Sequence, residues 1–157
     1  MRDGMDMITF AIGDSQFGID LSVVEEVSAD TELELAGPDD GPVTGFAHHH
    51  DRRVPVYNLR ELLGLDAEDD EAAGGGRVIV VRLTGGVRVG LRVDGAADIR
   101  KGVPAPAAAP ILYGGRPRAA LVQGLVEADG RIVPLLDPGR LLTDDELRRS
   151  RNPGSPS

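Results

Sequence analysis

The chain has 157 residues, 41% of them hydrophobic but only 3% aromatic with no Trp, which suffices for one good core or two small ones that share a face. A formal net charge of -9 and the scarcity of aromatics argue against a nucleic-acid partner, whose binding rests on many Lys and Arg contacts and on stacking surfaces. The absence of Cys excludes disulfides, thiolate metal sites and thiol nucleophiles, and with no apolar run approaching about 18 residues and no leader pattern the expectation is a cytoplasmic protein without membrane insertion.

In chain order, residues 7–12 (MITFAI) read as a strand, 13–15 as a turn, and 16–21 as a second strand with Phe17, Ile19 and Leu21 on one face. Residues 22–27 (SVVEEV) suggest a short helix, with Ser22 as N-cap and Glu25 and Glu26 in its first turn. Residues 31–35 (TELEL) alternate, which predicts Leu33 and Leu35 inward and both Glu outward, and 37–42 form a loop. Residues 43–49 and 52–57 then make a hairpin that turns near His50 and Asp51. Pro55 and Pro134 lie inside return strands, where Pro has no N–H for a ladder, so those strands should be edges or carry bulges. Asn58 and Asp137 are placed as helix caps, with Pro138 at a first helical position.

Residues 66–76 (DAEDDEAAGGG) are acidic, then Gly-rich, as a solvated joint would be. Beyond it, 77–83 and 87–93 flank a Thr84-Gly85-Gly86 turn, and consecutive Val78, Ile79, Val80 and Val81 predict a strand covered on both faces. Residues 103–110 (VPAPAAAP) must be extended, and the tail 148–157 has a disordered composition.

An internal duplication organises these elements. Gly45 to Leu63 (GFAHHHDRRVPVYNLRELL) returns 79 positions later as Gly124 to Leu142 (GLVEADGRIVPLLDPGRLL), and Phe17 to Val27 returns 72 positions later as Val89 to Ile99. The second copy places Asp129-Gly130, a standard two-residue hairpin signal, where the first has His50-Asp51. The expected layout is a first lobe at 7–65, a flexible linker at 66–76, a second lobe at 77–147 and the tail.

Little catalytic chemistry is visible. His48, His49 and His50, followed by Asp51, are the only His in the chain; strand alternation would let His48 and His50 share a metal, against the plainer reading of a polar hairpin tip. No Ser sits in an elbow-like context, Asp20 and Asp94 recur as turn residues, and Gly74-Gly75-Gly76 lacks the Lys and Ser/Thr of a phosphate loop. No cofactor is implied.

Six motifs in order resemble the CheW family of chemotaxis coupling proteins: Phe17-Gly18-Ile19-Asp20; Val24 with Glu26-Val27; Gly45 with Val54-Pro55-Val56 and Asn58-Leu59-Arg60; Gly90 with Val93-Asp94-Gly95; Asp98-Ile99; and Gly124 with Ile132 to Asp137. The resemblance spans residues 8–147. It implies an all-β fold of two SH3-like five-stranded barrels with short helices on a shared core. It further implies a non-catalytic, free-standing adaptor joining the regulatory domain of a CheA-type histidine kinase to the cytoplasmic tip of a methyl-accepting chemoreceptor. By position, Val24, Glu26 and Val27 match the receptor-proximal segment, and Phe46, Ala47 and His50 match the strand and turn of a partner surface. His48 to Asp51 depart from the usual Asn-Leu-Arg-Gly, so a His stands where a fork-shaped Arg is typical. That departure also admits a divergent adaptor for a non-flagellar pathway or another partner.

Overall fold

The computed structural model describes residues 4–12, 15–29, 33–35, 37, 43–63, 76–95, 98–104 and 122–141. In chain order they form β1 (Met5–Ile12), β2 (Ser15–Asp20), a 3-10 turn (Leu21–Val23), β3 (Val24–Ala29), β4 (Glu34–Leu35), β5 (Gly45–His49), β6 (Arg52–Asn58), α1 (Leu59–Leu62), β7 (Arg77–Arg82), a turn at Thr84–Gly86, β8 (Arg88–Val93), β9 (Asp98–Pro104), β10 (Val122–Ala128), β11 (Arg131–Leu136) and α2 (Pro138–Leu141).

The strands make a closed barrel in the order β1-β2-β11-β10-β9 and a six-stranded sheet in the order β3-β7-β8-β6-β5-β4. Because β3 and β4 follow one another in the chain yet occupy opposite ends of the second sheet, that sheet curls back on itself. The fold is therefore all-β with two barrel-like lobes, as expected, the second counting six strands because its closing stretch contributes two short ones.

The strands do not divide into consecutive halves. β1 and β2, from the first copy, pair with β9 and β11 of the second, while β7 and β8, from the second copy, pair with β3 and β6 of the first. The expected assignment of 7–65 to one lobe and 77–147 to the other is corrected by this pairing. The exchange is reciprocal down to the residue: Gly18 lies opposite Leu135 in one parallel contact and Gly90 opposite Val56 in the other, and these are the same positions of the repeat. The expected linker, apart from buried Gly76, and the tail lie outside the described residues.

Period-two patterning accounts for the packing. Ile8, Phe10 and Ile12 of β1 and Ile79 and Val81 of β7 point into one large core shared by both sheets, with Phe17, Tyr57, Leu91 and Leu136. The alternate positions fill separate interiors, Met7 with Val126, Val133 and Leu135 in the closed barrel, and Val78 and Val80 with Ala47, Val54 and Val56 in the other. β7 is thus covered on both faces, as its unbroken apolar run predicted.

Several local readings change. Residues 24–29 are strand, not helix; Val23, Val24 and Val27 are β-branched, and only Leu21–Val23 make a turn, which the Asp20 carboxylate caps by accepting from the Ser22 amide at 2.9 Å. Leu35 is 83% exposed because it lies opposite Gly45, which has no side chain to pack on, whereas Leu33 is half-buried. β6 and β11 are interior strands despite Pro55 and Pro134. The parallel contacts begin at Val56 and Leu135, one residue after each Pro, so the missing N–H falls where the second ladder has not started. The helix caps stand: Asn58 accepts from the Arg60 amide at 3.1 Å and Asp137 from the Gly139 amide at 3.0 Å. Of the extended stretch 103–110, residues 103–104 belong to β9 and the rest lies outside the described residues.

The two parallel contacts tolerate no side chain equally. A Cβ on Gly90 would come within 2.7 Å of Val56 Cγ2 and 3.1 Å of Val78 Cγ1, both stiff β-branched groups, whereas one on Gly18 would meet the flexible Met7 Sδ at 2.8 Å. Gly90→Ala is expected to lose about 1–3 kcal/mol in chemical denaturation, and Gly18→Ala clearly less; equal losses would contradict this packing. Chains cut in the joint and expressed separately should each lack a cooperative thermal transition and recover one when mixed, because neither piece holds a complete barrel.

Candidate functional site

The β5–β6 turn has both central residues in the left-handed region, His50 at φ 53° and Asp51 at φ 64°, the conformation whose twist matches the flanking strands. Its counterpart in the second copy, Asp129 and Gly130 at 54° and 78°, has the same form. Since His50 has left the strand, alternation with His48 is broken. Exposed His48 contacts Glu34 at 3.3 Å, while the His50 ring stands edge-on to His49 with centroids 4.2 Å apart. His48 and His50 thus do not converge, and among the described residues no three His, Asp or Glu groups are placed to hold a metal.

His49 is the buried member of the cluster, 5% exposed, on the same inward face of β5 as Ala47. Its Nε2 lies 3.1 Å from Glu25 Oε1 and its Nδ1 closely contacts Glu26 Oε1. Each ring nitrogen of His49 thus faces a carboxylate oxygen of β3. Neighbouring residues on a regular strand point to opposite faces, yet Glu25 and Glu26 reach the same ring. The cause is an irregularity in the β3–β7 ladder, where Val24 pairs with Val81 and Glu26 with Val80, leaving Glu25 as the extra residue of a bulge.

Glu25 also accepts from Arg88 Nε at 2.6 Å and Arg82 Nη1 at 2.9 Å. The Arg88 hydrogen bond is the main reason its carboxyl is held at about 2, with His49 and Arg82 contributing in the same direction and burial opposing. The network ties β3 to β5, β7 and β8, and it backs the outer surface of β3. Along β3 Glu26 and Val27 are both exposed, Val27 by 39%, Glu26 on the face of Val80 and Val27 on the face of Ile79, while Val24 is half-buried against the shared core. Phe46 and Ala47 are interior residues, 5% and 8% exposed; Phe46 belongs to the shared core, and the Arg53 guanidinium lies over its ring, 3.8 Å from the centroid.

Sequence reasoning singled out His50 and missed His49, Glu25, Arg82 and Arg88. Alternation from inward Ala47 identifies His49 as inward; the bulge that turns Glu25 has no signal in the residues. A buried cross-link at the other end of the second sheet joins two motifs of the family pattern: Arg60 on α1 donates to Asp94 just beyond β8, and the Asp94 amide donates to Ala11 O of β1 at 3.1 Å.

A charged seam at the end of one barrel and an exposed strand edge beside it are set on a duplicated barrel. The chain belongs to the CheW-like domain family, which matches residues 6–146. Its fold is similar to that of the scaffolding protein TtCheW from Thermoanaerobacter tengcongensis, with a TM-score of 0.68 at 19% identity over 93% of this chain and 91% of that one. No curated protein matches the sequence. Members of the family are non-catalytic scaffold proteins of chemotaxis signalling. Among the described residues no helix is long and apolar enough to cross a membrane.

A carboxyl whose folded pKa lies below its ordinary 4.5 adds stability above that value and loses it as pH falls toward about 2. Glu25→Gln should therefore cost on the order of 1–3 kcal/mol near neutral pH, discounted for the charges' partial hydration. The gap between variant and wild type should close as pH falls from 4.5 toward 2 in urea titrations; a gap independent of pH would show that the ion pairs contribute nothing.

Proposed function

We propose that this protein is an adaptor that couples the cytoplasmic tip of a methyl-accepting chemoreceptor to the regulatory domain of a CheA-type histidine kinase, working in the cytoplasm without a cofactor. The observation that carries the reading is the extent of the CheW-like match, residues 6–146, which takes in both barrels and the shared core between them. The strand edge supplies a surface suited to a helical partner. Val27 of β3 lies opposite core residue Ile79, and Ile99 of β9, its counterpart in the repeat, lies opposite core residue Ile8. Both are exposed, by 39% and 66%, so the shared core is continued to the surface on each lobe by one aliphatic side chain. On the other face of β3 Glu26 presents a carboxylate held in place by His49.

Val27→Asp is expected to weaken binding to the cognate receptor fragment about tenfold or more with a near-unchanged melting temperature. Val24→Asp should weaken binding and stability together, because Val24 packs on the core. Isothermal titration with parallel thermal melts checks both, and full-strength binding by Val27→Asp would exclude the β3 edge as the receptor surface.

A second reading, an adaptor for a different partner, is favoured by one feature. At the position where the resemblance implies Arg, His50 packs edge-on against His49 instead of extending a charged fork. Pull-down with the kinase and receptor encoded beside this protein separates the two: capture of the kinase without the receptor supports the second reading.

A further inference from the structure

The two copies of the repeat treat the same end of their barrels differently. In the second sheet that end is plugged by His49, which contacts Glu25, itself held by Arg88. In the closed barrel the corresponding residues, found by the same offsets of 79 and 72, are Ala128 for His49 and Gln16 for Arg88, and the end is open. A cavity of about 310 Å³ occupies it, lined by Thr9, Gln16, Arg100, Asp129, Arg131 and the buried Ala128 and Val133. All five strands or their turns reach it. Its size falls in the range of small-molecule sites, about 300–1,000 Å³.

The polar groups around this cavity are unevenly committed. Arg100 is held by Asp129 at 2.5 Å and by Asp98 at 3.6 Å, so its charge is offset. Among the described residues no hydrogen bond or ion pair engages Arg131 or Gln16. Buried Thr9 makes only a long contact, its hydroxyl donating to Asp98 O at 3.4 Å. One uncommitted guanidinium, an amide and a hydroxyl therefore converge on a cavity whose floor is apolar.

We infer that the open end of the closed barrel binds a small solute bearing a carboxylate, gripped by Arg131 and Gln16 with its apolar portion over Ala128 and Val133. A planar carboxylate matches the guanidinium fork, and its single charge balances that of Arg131, which has no ion-pair partner among the described residues. A dianion such as phosphate is disfavoured by the neighbouring Asp129. The inference is independent of the adaptor reading, since it concerns a cavity on the other lobe from the β3 edge.

The test is titration of the full-length protein with propionate, inorganic phosphate and chloride at matched ionic strength, following amide resonances by two-dimensional NMR. Saturable shifts confined to Thr9, Gln16, Arg131 and Val133 are expected with propionate, weaker ones with phosphate and none that saturate with chloride. Arg131→Gln should weaken propionate binding about tenfold, the scale of one charge-assisted pair, and Ala128→His should abolish it by restoring the plug of the other copy. Should Ala128→His fail to fold, Gln16→Ala serves in its place with a several-fold loss. Unsaturable or chloride-like shifts, unchanged affinity in Arg131→Gln, or phosphate binding more tightly than propionate would each overturn the assignment.

Discussion

Two parallel strand contacts, Gly18 against Leu135 and Gly90 against Val56, hold this architecture together, because each joins a hairpin from one copy of the repeat to the barrel of the other. A glycine stands at both, but only at Gly90 would a methyl group intrude on the neighbouring strand, at Val56; at Gly18 it would meet the flexible Met7 of its own hairpin. Everything else follows from that exchange. β1 and β7 each lie between a private barrel interior and the common core, and with burial worth about 1.5–3 kcal/mol for each large aliphatic or aromatic side chain, a core drawn from both copies explains how so small a duplicated unit is stable.

Duplication also gave the molecule two versions of every feature, and the versions have diverged in charge more than in packing. Val54 and Val56 correspond to Val133 and Leu135, so the interiors remain interchangeable aliphatic sets. The ends of the barrels do not. One holds His49, Glu25 and Arg88 in a closed network that backs an exposed strand edge, and the other replaces His49 and Arg88 by Ala128 and Gln16. The polar residues are where the two lobes acquire separate roles.

Much of this was legible in the residues. The hairpin turns at His50-Asp51 and Asp129-Gly130, the capping Asn58 and Asp137, and the doubly covered β7 all follow from short-range rules of turn chemistry and alternation. What escaped involves partners distant in sequence. No local pattern reveals that β2 pairs with β11 instead of closing its own lobe, or that Pro55 and Pro134 are tolerated inside a sheet because the second ladder starts one residue later. Of the residues that the positional resemblance singles out, Glu26 and Val27 are exposed, whereas Phe46 and Ala47 are buried, as their plain apolar signal implies.

The exchange of hairpins also sets the order in which this chain can acquire structure as it leaves the ribosome. β1 pairs with β9, and β2 waits for β11, the last strand among the described residues. Such contacts are among the most remote the chain can make, which places it with slowly folding topologies. The early hairpin lacks its sheet partners until β9 and β11 have been made, although residues of β6, β7 and β8 that share its core emerge earlier. The interval before β11 emerges is the period in which a chaperone would have the most to protect, and a truncated product would present the same apolar strands permanently.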